Sequence, residues 1–497
     1  MRYTSTRNNN LLIDSAAAIE KGISTEGGLF VPTEIPAVDA DFLASLKDMS
    51  YIERAEAVLA LFLTDYTKEE LHACVAGAYT DSFASEDVAP VVKLHDNVHI
   101  LELWHGPTCA FKDMALQLLP YLLTTAAKKG GSDKEIVILV ATSGDTGKAA
   151  LEGFKDVDGT RILVFFPNDG VSPMQKLQMT TQAGKNVGVS AIYGNFDDAQ
   201  TGVKKIFTDP ALREELAENG FAFSSANSIN WGRLAPQIVY YFSAYCDLLK
   251  NGEICNGDKI NIVVPTGNFG NILAAYYAKK MGLPVNKLLC ASNANNVLTD
   301  FLTTGTYDRN RPFHTTVSPS MDILISSNLE RLLYEMSNHN DVLISEWMKS
   351  LNETGAYSVT DEILAEIKSA FAAGCCDDIA TKETIGKTYQ SYNYLCDTHT
   401  AVAVNVYEKY REETGDTAPA VIASTASPFK FSAAVLDAVT QGKEKLDDEF
   451  EMVDRLQALT GCKAPVQLAS LKGTQPRFTG ICTKEDMRKV VFGMLGI

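Results

Sequence analysis

Unbroken runs of β-branched and aliphatic residues that stop at glycine-rich polar loops, with helical spacing beyond, dominate the hydrophobic pattern of the chain. Two such units are clearest. Residues 136–140 are wholly apolar, Ala141-Thr142-Ser143-Gly144-Asp145-Thr146-Gly147 follows, and helical periodicity begins near Lys148. Residues 260–264 repeat the pattern, with Pro265-Thr266-Gly267-Asn268-Phe269-Gly270-Asn271 leading into a helix over 272–280. A strand covered on both faces needs an apolar run of this kind, and further strands are expected at 161–166 and Ala420–Ser424. Strands alternating with helices predict an α/β fold, a parallel sheet between helical layers. Before about residue 95 the pattern is mostly helical, with an amphipathic helix over 51–63 and another over Lys68–Tyr79, and residues 322–412 are again largely helical. The chain shows no internal repeat and no low-complexity linker.

At 497 residues, two or three domains are expected. The formal charge of −18 argues against nucleic acid or an anionic membrane surface as partner, since both need a basic face. A small anion held in a cleft by local donors remains open, because distant charge is screened. The polar start, Met1-Arg2-Tyr3-Thr4-Ser5-Thr6-Arg7, leads into no long apolar run, so neither a signal peptide nor an anchor is expected. The 10 cysteines show no metal-ligand spacing and no disulfide framework, so no metal and a cytoplasmic location are expected.

The sharpest chemical signal is Trp104-His105-Gly106-Pro107-Thr108-Cys109-Ala110-Phe111-Lys112-Asp113-Met114-Ala115. Gly-Pro marks a turn, and a helix is expected from Phe111. A lysine in a first helical turn, flanked by apolar side chains, loses hydration and feels the positive end of the helix dipole. Both effects favour the neutral amine that attack on an aldehyde requires. A surface lysine whose stem covers apolar atoms is the competing reading of this segment. The loops at 142–147 and 266–271 each precede a helix start, where free backbone N–H groups can receive an anion, although an unliganded turn is an equal local reading. Neither is a P-loop or a dinucleotide fingerprint, and a phosphate monoester fits the second loop better. Ser424-Thr425-Ala426-Ser427-Pro428 places hydroxyls at the carboxyl end of a strand, where open α/β sheets bind ligands or where hydroxyls simply end the strand. Ser225-Ala226-Asn227-Ser228-Ile229-Asn230-Trp231-Gly232-Arg233 gathers amides, hydroxyls and a cation, either as an anion cradle or as a solvated turn.

Taken in order, these segments resemble the threonine synthase family of fold-type II pyridoxal-phosphate enzymes. The resemblance rests on Tyr3 with Ser5-Thr6-Arg7, Gly106-Pro107-Thr108 with Phe111-Lys112-Asp113, Ser143-Gly144-Asp145-Thr146-Gly147, Asn227-Ser228-Ile229-Asn230-Trp231, Thr266-Gly267-Asn268-Phe269-Gly270-Asn271, Ser318-Pro319-Ser320-Met321-Asp322-Ile323 and His399-Thr400-Ala401-Val402. It implies that Lys112 binds pyridoxal 5′-phosphate covalently and acts as the catalytic base and acid. It implies further that Gly267, Asn268, Phe269, Gly270 and Asn271 cradle the cofactor phosphate and that Thr425 meets the pyridine nitrogen. Ser143, Gly144, Asp145, Thr146 and Gly147 would receive the substrate carboxylate, and Asn227, Ser228, Asn230 and Arg233 the leaving phosphate. Two departures from the family pattern are Ser427, where a histidine is usual, and Cys109, where a leucine is usual.

The implied reaction converts O-phospho-L-homoserine and water to L-threonine and phosphate. The implied organisation is a mostly helical N-terminal domain over 1–95, and a large cofactor-binding α/β domain over 96–112 and 225–497 with a helical insertion around 322–412. A small α/β domain over 113–224 completes it. A monomer is expected, with a homodimer as the alternative. The nearest rivals are a dehydratase or cysteine synthase of the same fold, which usually carry Asn where this chain has Asp145, and a non-catalytic anion-binding protein.

Overall fold

The computed structural model describes residues 1–142, 144–169 and 171–497. The expected apolar runs form the strands Glu135–Ala141, Thr160–Pro167, Ile260–Pro265 and Ala420–Ser424, and the last two are buried along their whole length. They belong to two separate sheets. The larger has six strands in the order Phe371–Cys375, Val285–Ser292, Ile260–Pro265, Ala420–Ser424, Val98–Glu102 and Val91–His95. Its neighbours are parallel except for the last pair, an antiparallel hairpin. The smaller sheet is parallel throughout, in the order Ile481–Cys482, Val187–Ile192, Thr160–Pro167, Glu135–Ala141 and Phe221–Ser224. Parallel strands must be joined by crossovers, and the helices that make them cover both faces.

The helix Trp231–Lys250 lies at the centre of the molecule and is buried on nearly every side, as a helix apolar all round must be. The N-terminal helix Tyr51–Phe62 starts at a capping box of Ser50 and Glu53 and packs Tyr51, Ala55, Val58 and Phe62 inward. Arg54, on the same buried face, donates to Ser243 Oγ at 2.9 Å and Asp247 Oδ1 at 2.6 Å, both on the central helix. The N-terminal region also contains a three-stranded antiparallel sheet of Asn8–Ile13, Tyr3–Ser5 and Phe30–Pro32. Tyr3 stacks edge-on against Trp231, and Arg7 reaches Glu330 with Nε at 2.8 Å and Nη2 at 2.7 Å. The opening segment therefore ties this region to the core.

Three placements differ from the sequence expectation. Val91–His95 is an edge strand of the large sheet rather than part of the helical region. Phe371–Cys375, inside the stretch expected to be helical, forms the opposite edge. Ile481–Cys482 joins the smaller sheet, and the helix Met487–Leu495 packs against Phe196–Thr208, whereas the large domain was expected to hold the chain through residue 497. A two-residue strand is too short to show a period, which hides this return in the sequence.

Candidate active site

Three neighbouring strands of the large sheet run parallel and deliver their following loops to one edge. Ile260–Pro265 leads into the 266–271 loop, Ala420–Ser424 into Thr425, and Val98–Glu102 into the segment carrying Lys112. That last segment is pinned by Phe111 N donating to Thr425 O at 2.9 Å and Ser427 N donating to Cys109 O at 3.1 Å, with Cys109 at a left-handed φ of 58°. The fully buried Asp113 carboxylate accepts Thr108 N at 2.8 Å and Thr108 Oγ1 at 2.6 Å. A Cβ at Gly106 would stand 2.5 Å from Asp113 Cβ, which is why the turn takes glycine there. Burial pushes the Asp113 carboxyl up to about 6.

Lys112 is half-buried and stands as N-cap of the short helix Asp113–Leu116. Burial lowers its amine to about 8, Asp145 opposes that shift, and Lys430 and Arg233 reinforce it. Roughly a tenth of the amine is then neutral at pH 7, against less than a thousandth for an ordinary lysine, a gain of over a hundredfold in nucleophile.

Asp145 opens the helix Asp145–Phe154 of the smaller domain. Gly144 precedes it at φ 152°, and a Cβ there would meet the Gln175 amide at 2.6 Å. The loop closes around Thr142, whose hydroxyl accepts the N–H groups of Gly144 and Gly147 at 3.0 Å each. A Cβ at Gly147 would meet Thr142 Cγ2 at 2.3 Å. With those amides engaged, Asp145 and Thr146 supply the first-turn donors of the helix. Ser143, the remaining member of this loop, lies outside the described residues. Asp145 Oδ1 accepts Gln175 Nε2 at 3.0 Å and pairs with Lys430 Nζ at 2.7 Å. Burial pushes the Asp145 carboxyl up, but Lys430 and then Lys112 outweigh it and hold the group well below the usual carboxylate range. A cavity of about 540 Å³ opens beside this pair, lined by Ser172, Gln175, Pro319, Lys430, Phe431 and Glu449 among others.

The 267–271 loop is braced from outside by the 318–328 segment. A Cβ at Gly267 would meet Ser320 O at 2.6 Å, Ser326 Oγ donates to Gly267 O at 2.8 Å, and Asn328 N and Nδ2 donate to Asn268 O at 3.1 and 3.0 Å. Ser320 N in turn donates to His399 Nε2 at 3.1 Å, and His399 Nδ1 lies 3.0 Å from Asp397 Oδ1. Asp322 accepts the side chains of Asn293, Asn295 and Thr316, so it shapes this brace. Phe269 caps the helix Gly270–Met281 with φ 64°. Beneath the loop, successive turns of the central helix present Arg233, Gln237 and Tyr241; a Cβ at Gly270 would lie 3.7 Å from Gln237 Nε2, and Tyr241 donates to Asn271 Oδ1.

Two buried donors here have no protein partner among the described residues, Arg233 Nε and Asn271 Nδ2. Arg233 Nη1 donates only to a backbone oxygen, Ala226 O at 2.6 Å, and burial lowers the guanidinium to about 10, so it remains charged at neutral pH. A desolvated cation with no carboxylate beside it is stabilised by an anionic group, and the amides of the glycine loop can receive a phosphate. The donor set therefore fits a pyridoxal phosphate: amine, phosphate cradle, and a hydroxyl, Thr425, at the end of the middle strand.

The other members of the 227–233 cluster are placed differently. Asn227 is exposed, Ser228 is half-buried with its carbonyl accepting Asn328 Nδ2 at 3.3 Å, and Asn230 is committed to Ile19 O, Ser225 O and Gly232 N. Lys430 and Gln175 were not assigned to the site by sequence reasoning. Lys430 carried a signal, a single charge inside the apolar Pro428-Phe429-Lys430-Phe431.

A lysine whose amine burial has lowered and a glycine-rich loop, delivered to one carboxyl edge of a parallel sheet, define a Schiff-base enzyme of the α/β class. Residues 85–426 match the family "Pyridoxal-phosphate dependent enzyme", residues 2–79 match "Threonine synthase N terminus", and residues 400–479 match "Threonine synthase, C-terminal". The threonine synthase of Pseudomonas aeruginosa is 38% identical over 471 residues, 94% of this chain and 97% of that protein. Human threonine synthase-like 1 is 41% identical over 432 residues, 85% of this chain, but the chain spans only 57% of that longer protein. Among solved structures, PLP-bound threonine synthase from Brucella melitensis superposes with a TM-score of 0.88 at 37% identity, covering 99% of both chains. The yeast threonine synthase gives 0.89 at 33% identity, covering 100% of this chain and 99% of that one. The chain belongs to the threonine synthase family of fold-type II, pyridoxal-phosphate-dependent enzymes. No helix among the described residues is long and apolar enough to cross a membrane.

Proposed function

We propose that the chain converts O-phospho-L-homoserine and water into L-threonine and phosphate, with Lys112 as the catalytic base and acid. The observation that carries this reading is the placing of one partly neutral, half-buried amine between two separate anion-receiving elements, the 144–147 helix start and the desolvated Arg233. A substrate with a carboxylate at one end and a phosphate at the other needs two such elements.

When bound, pyridoxal phosphate supplies an aldehyde to the lysine and a ring that takes up the electron pair left when a proton departs from Cα. The residues do the rest. Gly267, Asn268, Phe269, Gly270 and Asn271 would hold its phosphate, and the neutral Thr425 hydroxyl would face the ring nitrogen without adding a charge. The first-turn amides of Asp145 and Thr146, in a turn that Gly144 and Gly147 shape around Thr142, take the substrate carboxylate. Arg233, assisted by Asn227 and Ser228, takes the terminal phosphate, and its charge stabilises the dianion as the Cγ–O bond breaks, while Asn230 is held by its own backbone contacts. Lys112, once released by the substrate amine, accepts the Cα proton and then the Cβ proton whose departure lets phosphate leave from Cγ; protons return to Cγ and, after water has added at Cβ, to Cα, with the same lysine as the acid. A monomer is the active unit in this reading, and 10 cysteines without a disulfide support a cytoplasmic location.

The deciding assay is phosphate release and threonine formation from O-phospho-L-homoserine, with O-phosphoserine and threonine as controls. Turnover of phosphohomoserine alone supports the reading. Preferred deamination of threonine or serine would replace it with a dehydratase.

A further inference from the structure

Lys430 is a fully buried lysine that the reaction outlined above does not use. It lies in the short turn Pro428–Phe431, just beyond Thr425, and its side chain has no solvent exposure. Its Nζ donates to Thr108 O at 2.9 Å, on the segment that carries Lys112, and pairs with Asp145 at 2.7 Å, on the first helix of the smaller domain. One ammonium thus joins the end of the middle strand, the lysine-bearing loop and the smaller domain. The charged groups acting on Lys112 are Asp145, Lys430, Arg233 and Asp113. Facing Lys430 are Asp145, Asp113 and the Cys109 thiol, which burial pushes up to about 12 and keeps neutral.

Asp145 is almost as deeply buried, with 5% of its side chain exposed, so its charge needs a cation close by. Gln175 supplies only a neutral amide. Without Lys430, the cation best placed to compensate Asp145 is the Lys112 amine itself, which already acts on it.

We propose that Lys430 is a positioning residue that keeps Asp145 from capturing Lys112: by occupying the carboxylate, it denies Lys112 a salt bridge that would turn the reactive amine into a committed ammonium. The Thr108 contact adds a mechanical component, holding the lysine-bearing loop in register with the smaller domain. The charge on Lys112 is therefore set by a residue that touches neither the amine nor the substrate.

This inference rests on the reading of Lys112 as the cofactor lysine. The test uses the full-length chain freed of cofactor, with pyridoxal phosphate as the probe. The rate of covalent capture is followed across pH by visible absorbance, and the product is trapped with borohydride and located by peptide mapping. Lys430→Met should raise the pH of half-maximal capture by about one unit, which is roughly tenfold slower capture at pH 7. Adding Asp145→Asn should restore most of the loss, Asp145→Asn alone should move the midpoint downward, and Lys430→Arg, which keeps the charge, should stay near the parent. A parent-like midpoint in Lys430→Met, or a double variant as slow as the single one, overturns the proposal. Should Lys430→Met fail to fold, Lys430→Gln, which keeps a donor for Thr108 O without the charge, decides: an upward shift of the midpoint supports the proposal, and an unchanged one overturns it. Failure of the parent chain to capture pyridoxal phosphate at Lys112 would instead sink the functional reading itself.

Discussion

The two glycine-rich units look alike in sequence, an apolar strand, a polar loop, a helix, yet they are built to opposite electrostatic plans. The 144–147 loop curls around its own Thr142 hydroxyl and begins its helix with a charged residue, whose partner Lys430 comes from the other domain. The 267–271 loop carries no charge at all, is braced by the 318–328 segment, and includes a buried donor, Asn271 Nδ2, which like Arg233 Nε on the central helix lacks a protein partner among the described residues. The first spends two of its amides on Thr142 and pairs its charge within the protein, leaving the Asp145 and Thr146 amides for a substrate, whereas the second has buried donors beside it that an anion would complete. A glycine-rich turn before a helix therefore does not by itself say which anion it receives. What distinguishes the two is whether the buried donors around the loop are already satisfied.

This contrast can be broken at several points, with effects of decreasing size. Lys112→Ala removes the group that both loops surround and should abolish both the visible absorbance of the bound cofactor and all turnover; a fully active variant would refute the arrangement. Gly267→Val drives a side chain into Ser320 O and should leave the purified protein with little bound cofactor, which equilibrium dialysis would quantify. Gly270→Ala provides the internal control, because a Cβ there meets nothing closer than 3.5 Å, and its cofactor affinity should fall far less. Arg233→Ala should lower kcat/KM for phosphohomoserine by roughly tenfold to a hundredfold, the worth of one charged hydrogen bond, with Arg233→Lys recovering part of it. If Arg233→Ala instead loses cofactor and keeps its affinity for substrate, the guanidinium serves the 267–271 loop rather than the substrate phosphate.

The smallest effect is on pH dependence. With the Lys112 amine near 8, the neutral fraction rises with pH, so covalent capture should climb about fivefold between pH 7 and 8 and level off above. A tenfold rise over this interval that continues above pH 8 without levelling would mean that Asp145 reaches Lys112 despite Lys430.

Legibility followed the range of the interactions. The strands and both loops were readable because apolar runs and glycines are local signals, and Lys112 stood out by its apolar flanks and the turn before it. The helix starts were expected a few residues late, since Asp145 and Gly270 already have helical geometry directly after the loops. The Asp145–Lys430 pair joins residues far apart in the chain, and no local pattern encodes such a contact. Asn230 shows the reverse limit. Its neighbours made it look like an anion donor, but its amide caps the central helix and binds the carbonyl of Ile19, a partner that only the fold brings close.

The return of Ile481–Cys482 to the edge of the smaller sheet bears on biosynthesis. Emerging from the ribosome, the strand Val187–Ile192 is complete long before residues 481–495 appear, so one margin of that sheet stays unpaired while most of the polypeptide is made. The large sheet has its own last strand, Ala420–Ser424, at its centre, between strands translated much earlier. Both halves are therefore finished by segments translated well after the strands they pair with, and until those segments arrive two open sheets coexist in one chain.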